Sequence, residues 1–67
     1  MNVETIGLWA GATWVALSEK EGTLGVKALK RVTKLKEKEL YAAIGWLARE
    51  GKVGIEEDEN DVIVTLL

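Results

Sequence analysis

The 67-residue chain predicts a small α+β domain: three helices, one short strand and a C-terminal β-hairpin. Three observations predict it. Apolar residues recur at helical spacing in three separate stretches that end by Glu50. Glycines stand where two of those stretches stop, at Gly22 and Gly51. Beyond Gly51, two β-branched runs flank a polar segment, which is the pattern of an antiparallel hairpin.

Taken in order, Asn2 can cap a first helix, with Glu4 in the first turn, where the helix dipole favours an acid. Ile6, Ala10, Thr13 and Leu17 form one stripe on it, flanked by Val3, Trp9 and Trp14. It should end near Glu19, because Gly22 closes the charged segment "SEKEG". Thr23 and Leu24 can make a very short strand. Gly25 can cap a second helix, "VKALKRV", which buries Val26, Leu29 and Val32 and exposes Lys27, Lys30 and Arg31. "TKL" is the turn after it. A third helix runs from about Glu37 to Glu50 with Leu40, Ile44 and Leu47 inward. Lys36 at its cap has no acceptor oxygen, but Glu39 can supply half a capping box. Gly51 ends this helix as the C′ residue. "KVGI" and "VIVTLL" then pair across "EEDEND". Val62, Val64 and Leu66 share one face of the last strand, and Ile63, Thr65 and Leu67 the other. Apolar residues on both faces imply cover on both.

Size and composition bound what such a domain can do. Residues 1–67 make a single domain, and one this short buries only about 60% of its unfolded surface. With no cysteine and no histidine, disulfides and the commonest metal ligands are excluded. That leaves good packing or oligomerisation. Nucleophilic catalysis has almost no material: the one serine, Ser18, has no conventional base beside it. No cofactor is implied, and the expected protein is not an enzyme. "EEDEND" lacks the spacing of a calcium loop and reads as a charged hairpin tip that blocks edge-to-edge aggregation. The uncharged run "TIGLWAGATWVALS" (5–18) is 14 residues long, too short for a bilayer core of about 30 Å. It follows Glu4 rather than a basic segment, which argues against a signal peptide. No membrane role is expected, and a cytoplasmic location is the default.

The element order, with "LGVKALKRVTKLKEKELYAAIGWLAREGKVGI" at its centre, resembles the winged helix-turn-helix superfamily. More narrowly, Leu40 to Val53, and "GWLAREGKV" above all, is similar to a small uncharacterised family of stand-alone winged-helix proteins from bacteria and archaea. The resemblance implies the fold and, through the superfamily, an expectation of DNA binding and transcription-linked regulation. Two positions depart from the superfamily's pattern. Lys34 stands where the turn between helices two and three usually holds a glycine, and Lys36 where a Ser or Asp cap is common.

In such a unit the third helix enters the major groove. With Leu40 buried, helical geometry turns Lys38, Tyr41, Ala42, Gly45 and Arg49 outward. Lys38, Tyr41 and Arg49 can donate to phosphates or bases, while Lys27, Lys30, Arg31, Lys34 and Lys36 supply sequence-independent attraction to double-stranded DNA. The net charge of −2 conceals the segregation behind this. Lys27 to Lys38 holds six basic residues against Glu37, a balance of +5; Glu50 to Asp61 holds six acids against Lys52, a balance of −5. The acidic tip, Glu56, Glu57, Asp58, Glu59 and Asp61, repels phosphate where DNA-binding wings commonly carry Lys or Arg. A protein-interaction module that has kept the winged-helix fold without binding nucleic acid is therefore the alternative, its basic face and acidic wing docking on a charged protein partner.

The first helix points to a second copy. Its far side carries Leu8, Gly11, Ala12 and Val15 rather than charges, and a helix apolar nearly all round is expected to be covered on both faces. A homodimer meeting through these four residues would cover it. Trp46 lies on the flank of the third helix and is expected to pack on the first helix or under the wing.

Overall fold

The computed structural model describes residues 1–67. Three helices form in chain order: α1 (Val3–Glu19), α2 (Val26–Thr33) and α3 (Glu37–Arg49). Between α1 and α2 lies β1 (Thr23–Gly25), and the chain finishes with β2 (Val53–Glu57) and β3 (Val62–Leu66). The strands form one antiparallel sheet in the order β1-β3-β2, so the last strand is the central one. This is a winged helix, with the β2–β3 hairpin as its wing.

Local chemistry sets most of the boundaries. At the start of α1 the Asn2 side chain accepts from Thr5 N–H at 2.9 Å, and Thr5 Oγ1 accepts from Asn2 N–H at 3.0 Å. Two of the helix's orphan donors are thereby satisfied. After Glu19 the chain reverses through Glu21 (φ 68°) and Gly22 (φ 87°), and Gly22 N–H donates back to Leu17 O at 2.8 Å. Gly51 (φ 74°) ends α3 in the same manner. Its N–H reaches Ala48 O at 3.0 Å, and Lys52 N–H reaches Leu47 O at 2.9 Å. This double return is the Schellman closure that a glycine at C′ makes easy.

The core lies where α1, α3 and the inner face of the sheet meet. Leu17, Leu29, Leu40 and Val64 are fully buried, with Ala10, Ala16, Val26, Ala43, Ile44, Leu47 and Val53 around them. Each large apolar side chain so buried contributes roughly 1.5–3 kcal/mol. Thr13 is the one buried polar residue, and its hydroxyl donates to Trp9 O at 2.8 Å, so its burial leaves no donor unmatched. Trp46 lies against α1, its ring over Gly7, in one of the two places expected of it.

The inward stripes differ from expectation in three ways. Ile6 is only half-buried, and Ala16 takes its share of the core. Val32 was expected inside and is 43% exposed. The eight-residue α2 aims Val26 and Leu29 at the core, and its next turn emerges beside α1, where Val32 lines a groove with Gly11, Ala12 and Val15. The outer face of β3 is also less covered than expected: Ile63 is half-buried, Thr65 exposed and Leu67 83% exposed. Thr65 instead faces Thr23 of β1, their hydroxyls 2.9 Å apart.

Candidate nucleic-acid interface

The side chains singled out for nucleic acid lie on α2, the turn and α3. A tight connection holds these two helices. Lys34 takes the left-handed conformation (φ 62°, ψ 18°) that usually selects glycine. Thr33 compensates: its hydroxyl donates to Leu29 O at 2.7 Å and accepts from Leu35 N–H at 3.2 Å, spanning the turn from both sides. Lys34 N–H itself returns to Lys30 O at 2.9 Å. The start of α3 has the expected half box, Lys36 N–H donating to Glu39 Oε1 at 2.9 Å.

Lys27, Arg31, Lys34, Lys36, Lys38, Tyr41 and Arg49 are all exposed. Lys30 is half-buried, and its Nζ lies 3.7 Å from Glu37 Oε2, a half-exposed pair that ties α2 to the first turn of α3. Such a pair adds little stability, yet it occupies one of the eight donors. On α3 the outward row runs Lys38, Tyr41, Ala42, Gly45, Arg49, with Ala42 half-buried. Arg49 closes the far end of the helix, about 16 Å along the axis from Lys38. A Cβ added at Gly45 would meet nothing within 4 Å, so no packing inside the chain requires a glycine rather than an alanine there.

Between these helices and the wing is a notch of about 430 Å³. Lys27, Lys30, Glu37 and Tyr41 line one wall, and Glu57, Asp58, Asn60 and Asp61 the other. The fold thus brings the basic helix surface and the acidic wing face to face, a juxtaposition that residue spacing alone does not reveal. Asp58 organises the loop: its carboxylate accepts from Asn60 N–H at 2.8 Å and Asp61 N–H at 3.1 Å. Glu56, Glu57, Asp58 and Glu59 remain exposed.

Asp61 differs from the other acids. Unlike the exposed tip acids with which its spacing places it, it is half-buried at the root of β3, where its Oδ1 accepts from Val62 N–H at 2.8 Å and, more weakly, from Lys27 N–H at 3.4 Å. It stands over Gly25, the N-cap of α2, so closely that any side chain at position 25 would collide with its carboxylate. Gly25 has no side-chain acceptor, and Asp61 brings one across the fold to the positive end of α2. The signal available in the sequence was the bare glycine at a cap position.

No helix of the protein is long and apolar enough to cross a membrane. No curated protein matches the chain. Among solved structures it is similar to a protein from Bacteroides thetaiotaomicron determined by NMR in solution. The two share 33% sequence identity and superpose with a TM-score of 0.84, over 98% of this chain and 79% of that one. The family described as "Winged helix-turn-helix domain (DUF2582)" matches residues 1–66. Element order, sheet topology and both likenesses agree, and the chain belongs to this winged helix-turn-helix family.

Proposed function

We propose that the protein associates with double-stranded nucleic acid, in a transcription-linked role, through the outward face of α3 and the basic α2–α3 turn. The observation that carries this is Gly45. A glycine inside a helix costs about 0.5–1 kcal/mol relative to alanine, and nothing in the chain occupies the space over this one. Around it Lys38, Tyr41 and Arg49 are exposed donors, and Ala42 is small. A face bare at its centre and donor-lined at its ends suits close approach by a phosphate backbone.

The wing opposes this contact. Its acids would meet phosphates with like charge, so the affinity is modest and rests on α3, Lys34, Lys36 and Arg31. Fluorescence anisotropy of a mixed-sequence duplex tests the reading. Binding should be measurable at low salt and weaken steeply by about 0.2 M. Lys34→Ala, Lys38→Ala and Arg49→Ala should each weaken it, and each lost phosphate contact should lower the salt slope by about 1. Absence of binding at low salt would overturn it.

A second reading is favoured by the acidic wall of the notch. There Glu57, Asp58 and Asp61 already face Lys27 and Lys30, and a charged protein segment could bridge the two walls. In that case duplex affinity would be absent and the three variants silent toward DNA.

A further inference from the structure

Away from the basic surface, the outer side of α1 forms a ridge with a groove on each flank. Leu8 is 73% exposed and Val15 48%, and Gly11 and Ala12 between them are exposed as well. The first groove, of about 510 Å³, separates α1 from α3 and is lined by Gly7, Gly11, Trp14, Val15 and Trp46, with Glu50 and Lys52 at its end. The second separates α1 from α2 and is lined by Gly11, Ala12, Val15 and Val32, with Glu19 beyond. Gly11 and Val15 belong to both.

We propose that this face is occupied by a second copy of the chain, with the two α1 helices antiparallel about a two-fold axis between Gly11 and Ala12. Three features single out a second copy. The first is the order of residues: "LWAGATWV" (8–15) reads nearly the same in both directions, Leu against Val, Trp against Trp, and Gly against Ala at the centre. An isologous contact needs a surface complementary to itself, and this one is large at both ends and small in the middle. Leu8 of each copy then meets Val15 of the other, while Gly11 and Ala12 let the backbones close. The second is charge. Between Leu8 and Val15 the ridge carries no ionisable side chain, and the acid and base at the first groove's end, Glu50 and Lys52, already pair at 3.6 Å; the like charges of the arrangement, Glu4 of one copy opposite Glu19 of the other, fall at its exposed ends, where solvent and salt screen them. The third is area. A helix of 17 residues is about 25 Å long. A standard interface takes roughly 800 Å² per partner. Trp14, 42% exposed, and Val32, 43% exposed, add the flanks of both grooves. Gly11 agrees with this arrangement, since a Cβ added there meets nothing within 4 Å in the single chain.

This contact does not depend on the proposed nucleic-acid binding, which would use other residues, on the outward face of α3 and the α2–α3 turn. Sedimentation equilibrium on the full chain tests it, at low salt and again at about 0.5 M, where charge contacts are screened. The expected result is a dimer at tens of micromolar whose dissociation constant changes little with salt. Leu8→Glu and Val15→Glu should each raise that constant at least tenfold while the circular dichroism of the monomer stays the same. Gly11→Leu should do likewise, and it improves helix propensity, so loss of the dimer could not be ascribed to unfolding. A wild-type chain that stays monomeric at hundreds of micromolar would overturn the inference. So would a dimer untouched by all three substitutions, or one dissolved by salt, which would place the contact between acidic wing and basic face.

Discussion

The outer faces of α1 and α3 share one device and differ in everything around it. Each has a helix-interior glycine, Gly11 or Gly45, where an added Cβ would meet nothing within 4 Å. Around Gly45 stand Lys38, Tyr41 and Arg49; around Gly11 stand Leu8, Trp14 and Val15. The comparison shows that a bare helix surface does not name its partner. It only allows close approach, and the flanking side chains decide whether phosphate or an apolar surface is stabilised there.

The heaviest blow to that comparison would fall beneath both faces. Leu40 is fully buried under α3, in the core shared with α1, and Leu40→Ala is expected to cost about 2–5 kcal/mol. Urea unfolding should show it, with duplex affinity and self-association lost together as the platform goes. A loss of only one would mean that the two faces do not depend on a common core.

A second change sharpens the charged side alone. Glu57→Lys combined with Glu59→Lys spares Asp58 and Asp61, which hold the loop. Duplex affinity at low salt should rise on the order of tenfold, and the sedimentation behaviour should not change. Unaltered anisotropy curves would place the wing away from the bound duplex.

Smaller effects separate the two glycines. Gly11→Ala and Gly45→Ala should each raise thermal or urea stability by about 0.5–1 kcal/mol, because alanine restricts the unfolded chain and favours the helix. Only Gly45→Ala should reduce affinity for a short duplex holding one copy, and only Gly11→Ala should weaken self-association. Equal effects of both on either readout would erase the distinction drawn here.

The slightest expected change is at the turn. Lys34→Gly removes a left-handed lysine and should stabilise the fold by a few tenths to about 1 kcal/mol, the relief of strain being partly offset by the freer unfolded chain. Duplex affinity should fall at the same time. Stability and binding moving in opposite directions would identify the Lys34 charge as functional, whereas unchanged affinity would leave it a turn residue only.

Much of the fold was legible because its signals are local. Asn2 as a cap, Lys36 with Glu39 and Gly51 after Arg49 act within three or four residues, so their chemistry can be read directly, although the Thr5 hydroxyl that completes the Asn2 box was not foreseen. The site was less legible. Lys38, Tyr41, Gly45 and Arg49 turn outward as helical spacing requires, but Lys30 is drawn to Glu37 and Val32 emerges into a groove. Spacing gives a residue's direction around its own helix. What meets it depends on how the short α2 docks.

The sequence by itself determined the three helices, their caps and stops, the hairpin and the separation of basic from acidic segments. Only the tertiary structure made β3 the central strand, laid Trp46 over Gly7 and brought Asp61 to the start of α2, 34 residues from the Lys27 amide that it accepts from. The reason is range. Caps and amphipathic stripes are completed by neighbours along the chain, whereas a strand's second edge, a ring's seat and a borrowed cap exist only once distant elements have packed.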